Sequence, residues 1–133
     1  LPKVWEMEIP WSGGIGNVRG LARCYAALAG GGRTGEVTLL SPATAALPCS
    51  RESWGFDRVL RKPIGYTLGF VKEEEHLFSP NPVSFGHPGA GGALGFADPK
   101  AGFSIGYAMN RMDHHLRSPR TLALTGALYR CSG

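Results

Sequence analysis

From Phe103 to Asn110 the chain alternates large apolar residues with small or polar ones. Phe103, Ile105, Tyr107 and Met109 share one parity, and serine, glycine, alanine and asparagine fill the other. A period of two residues predicts a β-strand with one apolar face. The small face would let a helix or a second layer approach the backbone closely.

The period of an amphipathic helix runs from Ile15 to Ala29. Apolar residues recur there at spacings of three and four, while Arg19 and Arg23 fall on the other side. Three consecutive glycines, Gly30–Gly32, end the pattern. Within this helix Cys24 is expected to be a core residue.

Two serine-proline pairs predict further helix starts. Ser41-Pro42 and Ser118-Pro119 each place an N-cap residue before a proline at the first helical position. The first pair predicts a short helix through Ala46. The second predicts a C-terminal helix over residues 119–130, which carries the apolar residues Leu122, Leu124, Leu128 and Tyr129.

The chain before the glycine-rich region gives weaker patterns. The stretch from Ala46 to Pro63 is predicted to be irregular. Tyr66–Val71 is predicted to be a strand, followed by a charged loop that contains Glu73–Glu75.

Short strands are predicted at Phe85–His87 and Ala93–Ala97, and Asp98–Gly102 has the composition of a hairpin loop. The order of elements is therefore helices, an antiparallel meander over about residues 66–110, and a final helix. This order predicts an α/β (α+β) fold in which helices flank an antiparallel sheet.

Composition supports a single globular domain, since 43% of the 133 residues are hydrophobic and 18% are charged. The net charge is +4, but the basic residues are scattered, and Arg58, Arg61 and Lys62 are matched by Glu73–Glu75. A nucleic-acid partner is not expected, because its surface needs a sustained basic stripe. No apolar run reaches the length of a membrane span and no signal-peptide pattern occurs, so a soluble chain is expected, in a compartment that the sequence leaves open.

The glycines do not form a known phosphate site. Gly86-x-x-Gly89-x-Gly91-Gly92 is followed by Ala-Leu rather than the Lys-Ser/Thr of a P-loop. Gly14-x-Gly16-x-x-x-Gly20 follows a possible strand, but Glu36 would stand at the start of the next strand, where a dinucleotide site needs an acid at its end. Tight turns and close packing explain the glycines better.

Metal and disulfide patterns are absent as well. His114 and His115 are adjacent, so their side chains would point apart on any regular element. Cys24, Cys49 and Cys131 are odd in number and form no Cys-x-x-Cys pair. No cofactor, metal or disulfide is expected.

No nucleophile is evident either. A serine needs a base within hydrogen-bond reach, and a lysine three residues later on a helix is one such arrangement, but no serine here has one. Ser84 and His87 have opposite strand parity, so a pair between them would need a bulge. No tyrosine is followed two positions on by asparagine.

The stretch "FGHPGAGGALGFADPKAGFSIGYAMNRM" closely resembles the third active-site box and following hairpin of the serine β-lactamase and penicillin-binding-protein superfamily, in its class C-like, β-lactamase-related esterase branch. That box reads Lys-Thr-Gly or His-x-Gly, and here it is His87-Pro88-Gly89. "IPWSGGIGNVRGLARCYAALAGGG" followed by "LLSP" is similar to the segment that follows the second box. The resemblance implies a helical domain beside an antiparallel sheet flanked by helices, and a serine that attacks an ester or lactam carbonyl.

The resemblance also implies roles for the third box. His87 would face the substrate or help the proton relay, Gly89 would let the acyl group approach, and the backbone N–H of Ala90 would be one of two oxyanion-hole donors. Pro88 replaces the common threonine and offers neither a hydroxyl nor an N–H. Simple esters are therefore favoured over antibiotics.

The first box, Ser-x-x-Lys, and the second, Tyr-x-Asn, are missing from the sequence. Residues 1–133 are therefore expected to be the C-terminal part of one β-lactamase-related domain, inactive alone and completed by an N-terminal segment, with a small ester or lactam as the substrate. The alternative is a non-catalytic binding or structural protein that keeps half of the hydrolase fold and covers the exposed face by self-association or with a partner.

Overall fold

The computed structural model describes residues 2–10, 12–72 and 78–132. The predicted charged loop of Glu73–Glu75 lies outside these residues. The described helices are α1 (Pro2–Trp5), α2 (Val18–Ala29), α3 (Pro42–Ala46) and α4 (Pro119–Cys131), with a 3-10 turn at Leu47–Cys49. The strands are β1 (Arg33–Thr34), β2 (Val37–Thr38), β3 (Ser53–Asp57), β4 (Lys62–Tyr66), β5 (Val71–Lys72), β6 (Phe85–Pro88), β7 (Leu94–Asp98) and β8 (Phe103–Tyr107).

Strands β3 to β8 form one antiparallel sheet in which each strand pairs with the next along the chain. Strands β1 and β2 form a separate small hairpin. The predicted α/β class, an antiparallel sheet flanked by helices, is confirmed. None of the described helices combines the length and the apolar composition that a membrane span requires.

Helices α2 and α4 cover opposite faces of this sheet. Tyr25 of α2 packs with Phe85 and Ala97. Leu122 and Tyr129 of α4 pack on the other face, which is formed by Leu94, Phe96, Phe103, Ile105 and Tyr107. The core therefore has two apolar layers, one on each face of β6 to β8. The face that packs against α2 is called the α2 face below.

The small side chains predicted for one face of β8 allow α2 to lie close to the strand, as expected. Ser104 Oγ donates to the carbonyl oxygen of Ala22 over 3.0 Å. A Cβ on Gly106 would lie 2.6 Å from the carbonyl oxygen of Val18, which is closer than real Cβ atoms come. The strand ends at Tyr107, three residues before the predicted end.

The N-terminus of α2 is set by Asn17, whose side chain accepts the Gly20 N–H at 2.9 Å. The helix therefore begins at Val18 rather than at Ile15. The expectation that Cys24 is a core residue is wrong, because its side chain is exposed and Tyr25 is the buried neighbour. Burial, with a smaller effect of Cys24, raises the pKa of Tyr25 to about 12.

Both serine-proline starts form as predicted. Ser41 Oγ accepts the Thr44 N–H at 3.1 Å at the start of α3, and Ser118 Oγ accepts the Arg120 N–H at 3.3 Å at the start of α4. Helix α4 runs one residue past the predicted end, to Cys131.

The predicted strand Tyr66–Val71 is wrong. Tyr66 ends β4, Val71 begins β5, and the Thr67 N–H donates to the Phe70 carbonyl at 3.0 Å in the turn between them. The predicted irregular stretch before Pro63 is also wrong, because it contains β3 and the start of β4. Strand β3 lies at the outer edge of the sheet, and its two large apolar side chains, Trp54 and Phe56, are both exposed. It therefore lacks the buried face that makes a strand easy to predict.

The loop between β7 and β8 forms where predicted and is held by a buried carboxylate. Asp98 accepts hydrogen bonds from Ser79 Oγ at 2.9 Å, Asn81 Nδ2 at 2.7 Å, the Ala101 N–H at 2.9 Å and the Tyr129 hydroxyl. Burial raises the pKa of Asp98, but these hydrogen bonds outweigh it and hold the pKa below its ordinary value. One side chain thus joins the hairpin, the 79–81 loop and α4.

Candidate active site

The third-box histidine lies near the end of an interior strand. His87 is exposed on β6 and pairs with Gly95, so it shares the α2 face with Phe85 and Ala97. Its Nδ1 lies 2.9 Å from the carbonyl oxygen of Pro88. A carbonyl oxygen can only accept, so Nδ1 is the donor in this contact, and Nε2 is the ring nitrogen left for another partner.

A tight glycine turn follows the histidine. The Gly89 N–H donates to the Ala93 carbonyl at 2.7 Å, and the Gly92 N–H donates to the Gly89 carbonyl at 3.1 Å. Gly91 and Gly92 have positive φ angles of 82° and 101°, which side chains rarely adopt. The glycines therefore serve a turn at the end of β6, as the sequence suggests.

Ala90 lies at the exposed tip of this turn. Among the described residues, no backbone acceptor is found for its N–H. The three predicted site residues, His87, Gly89 and Ala90, thus form one continuous segment that offers an imidazole and an amide donor.

A cavity of about 130 Å³ lies beside this segment, on the face of the sheet that carries Val71 and Pro88, opposite to the α2 face. Its walls come from the turn before β4, from strands β4, β5 and β6 and from the loop before α4, and are mainly apolar. The lining residues are Leu60, Lys62, Ile64, Tyr66, Val71, His87, Pro88, Leu116 and Arg117.

Sequence reasoning missed most of this cavity. Ile64, Tyr66 and Val71 reach it because the β4–β5 turn brings together two strands that the sequence pattern merges into one. Burial, followed by the charge and hydrogen bond of Asp57, raises the pKa of Tyr66. No sequence signal marks Leu116 as a cavity residue.

The structure keeps Ser84 away from the histidine. The side chain of Ser84 is fully buried, whereas His87 is exposed, and the Ser84 hydroxyl has no hydrogen-bond partner among the described residues. The carbonyl of Ser84 instead accepts from Lys72 Nζ at 3.0 Å, and the same ammonium donates to the Cys49 carbonyl at 2.7 Å. Lys72 fastens the Cys49 turn to the start of β6.

The other sequence motifs are not assembled into sites within the part of the chain that the structure describes. Gly14 and Gly16 lie in an exposed segment after α1. The strand that a dinucleotide site needs before these glycines is not found among the described residues. His115 is exposed and its Nδ1 lies 3.8 Å from Asp113. The described residues hold no group of three or more metal-ligating side chains.

A protein-family model described as Beta-lactamase matches residues 1–127. The chain belongs to this family. The predicted membership of the serine β-lactamase and penicillin-binding-protein superfamily is therefore confirmed.

An esterase/beta-lactamase, LipL, from Mycobacterium tuberculosis (strain ATCC 25618 / H37Rv) is 33% identical over 108 residues, which are 80% of this chain and 24% of LipL. The crystal structure of a family VIII carboxylesterase shares 42% identity with a TM-score of 0.83, over 87% of this chain and 32% of that one. A penicillin-binding protein homologue from Caulobacter crescentus shares 32% identity with a TM-score of 0.80, over 96% of this chain and 39% of that one.

The chain thus spans about a quarter of the length of the curated relative and about a third of the length of the solved structures. All three relatives are longer proteins, and the match covers most of this chain in each case.

Proposed function

We propose that this chain supplies the third-box wall of an acyl-transfer site that hydrolyses esters through an acyl-enzyme. The observation that carries the proposal is the segment His87–Ala90, where an exposed imidazole, a glycine and an amide without a described acceptor follow each other at the end of β6, beside an apolar cavity. The esterase names of two relatives support the reaction class.

The proposed roles follow from the chemistry of each group. The Nε2 atom of His87 would contact the substrate or exchange a proton with the reacting groups. Gly89 would leave room for the acyl group. The Ala90 N–H would donate to the oxyanion of the tetrahedral intermediate, together with the N–H of the nucleophile.

We propose that the nucleophile comes from a different segment of the complete protein. The 133 residues contain neither Ser-x-x-Lys nor Tyr-x-Asn, and this chain matches only 24% to 39% of the length of each relative. On this proposal the chain alone binds no acyl group covalently.

The substrate is proposed to be a simple ester with a small apolar group. Ile64, Val71 and Leu116 supply apolar walls to the cavity beside His87. Pro88 provides no hydroxyl for a substrate carboxylate, and this disfavours β-lactam antibiotics relative to esters.

The purified chain and the family VIII carboxylesterase, as a positive control, are to be incubated with p-nitrophenyl acetate and followed by stopped flow and intact mass. We expect a burst and an acetylated species from the carboxylesterase and neither from the chain. A stoichiometric burst from the chain, with acetate on one of its serines, would overturn the proposal that the nucleophile lies elsewhere.

A non-catalytic interaction role is the second candidate, because the outer end of the sheet exposes large apolar side chains. Trp54, Phe56 and Val59 are 55%, 65% and 88% exposed. Sedimentation velocity tests this role: a concentration-dependent dimer favours it, and a compact monomer at all concentrations argues against self-association.

A further inference from the structure

Two carbonyl groups tie the turn that carries Ala90 to α4 and to the loop before it. The Asp113 N–H donates to the Gly91 carbonyl at 3.1 Å, and Thr121 Oγ1 donates to the Gly92 carbonyl at 2.7 Å. Thr121 is 2% exposed, so its hydrogen bond is shielded from water. Both bonds act on the residues that directly follow Ala90.

The loop that provides the Asp113 amide is itself held in place by the Asp113 carboxylate. This carboxylate accepts the His115 N–H at 2.7 Å, the Ser118 hydroxyl, and Arg120 Nη2 at 3.3 Å. Three acceptor contacts on one side chain fix the loop against the first turn of α4.

The same contact surface is closely packed. A Cβ on Gly91 would lie 2.6 Å from Met112 Cε, and a Cβ on Gly92 would lie 2.7 Å from Ser118 Cβ. The loop before α4 and the start of α4 therefore lie directly against the turn. Moving the turn away from them would break the hydrogen bonds that its Gly91 and Gly92 carbonyls accept.

We propose that Thr121 and Asp113 are positioning residues that hold the Ala90 N–H in the orientation needed by an oxyanion hole. The inference rests on the proposed function, which assigns that role to Ala90. An oxyanion donor is effective only when its direction is fixed before the reaction, and neither Thr121 nor Asp113 needs to touch the substrate to fix it.

Thr121→Val tests the inference, because valine keeps the shape of threonine and removes the hydroxyl. Thr125→Val is the matched control: Thr125 is buried on the same helix, but its hydroxyl donates to the carbonyls of Thr121 and Leu122 within α4 and, among the described residues, not to the turn. Thr121→Ser keeps the hydroxyl and serves as the rescue variant.

The measurement is native-state amide hydrogen exchange and ¹⁵N relaxation by NMR on the 133-residue chain. In Thr121→Val we expect the Gly92 and Asp113 amides to exchange about tenfold faster and the ¹⁵N order parameter of Ala90 to fall, with the Phe96 amide unchanged. Thr125→Val is expected to leave the exchange rates of Gly92, Asp113 and Phe96 and the order parameter of Ala90 as in the parent. Thr121→Ser is expected to return these values to those of the parent.

Unchanged exchange at Gly92 and Asp113 in a folded Thr121→Val would overturn the inference. Equal acceleration at Phe96 would also overturn it, because that result indicates general destabilisation. These outcomes do not depend on catalysis, so the inference and the proposed function can fail separately: the function is tested by ester hydrolysis, and the positioning role by the turn amides.

Discussion

Gly95 shows how a single residue sets the distance between helix and sheet. A Cβ at this position would lie 2.1 Å from Tyr25 Cε2, inside the ring that α2 places on the sheet. This contact lies next to the proposed site, because Gly95 is the β7 partner of His87.

Gly95→Ala is expected to lower the free energy of unfolding by about 2 kcal/mol, because the ring of Tyr25 has to move. The control is Gly55→Ala on β3, where an added Cβ meets no atom within 4 Å, and its effect should stay within about 0.5 kcal/mol. Urea unfolding of both variants checks the difference; equal stability would contradict the packing described.

Asp98 is a buried residue whose ionisation contributes to folding. Its pKa is lowered in the folded chain, so its contribution is complete above the ordinary carboxyl pKa of about 3.9 and is lost as the pH falls through the lower folded value. Asp98→Asn should lower the free energy of unfolding by about 2 kcal/mol at pH 7, because several hydrogen-bond donors lose a charged acceptor. It should also flatten the fall in stability below about pH 4, which urea unfolding from pH 2 to 7 would measure. An unchanged acid slope would exclude this role.

At the scale of elements, helices α2, α3 and α4 and the last three strands could be predicted from sequence because each has a local signal, whereas the short helix α1 was not predicted. Ser41-Pro42 and Ser118-Pro119 mark helix starts, and the alternation of residues 103–107 reflects two packed faces. The β4–β5 hairpin was missed, because apolar residues on both sides of the turn at Thr67–Phe70 suggest one strand, although Gly69, with a positive φ of 90°, marks the turn. The cavity was missed for the same reason, since its walls come from that hairpin and from a loop.

The start of α2 provides a test at this scale. Asn17→Ala removes the acceptor of the Gly20 N–H and should lower the free energy of unfolding by about 1 kcal/mol. Asn17→Ser should restore most of the loss, because serine is also a good N-cap. Thermal and urea unfolding of both variants check this; a neutral Asn17→Ala would show that tertiary packing alone sets the helix start.

At the scale of the whole molecule, the sheet and its helices support the segment His87–Gly89 from several sides. Strand β6 is paired on both sides, with β5 and with β7, and α2 and α4 pack on the two faces of the β6–β8 region. His87 and Ala90 thus project from a supported strand end and turn rather than from a free loop. The chain shares its family with an esterase/beta-lactamase and a penicillin-binding protein homologue, and it matches only part of the length of each.

The most direct test of the central claim transfers the third box into an active relative. In the family VIII carboxylesterase, the segment that matches residues 85–112 is replaced by that of this chain, and hydrolysis of p-nitrophenyl acetate is measured. The chimera should keep kcat/KM within about tenfold of the parent carboxylesterase, and His87→Ala in the chimera should lower it by about 100-fold. Lys100→Ala, at the exposed tip of the same hairpin, should have no effect. A folded chimera without hydrolysis, or one that His87→Ala leaves fully active, would contradict the assignment of this segment as the wall of an acyl-transfer site.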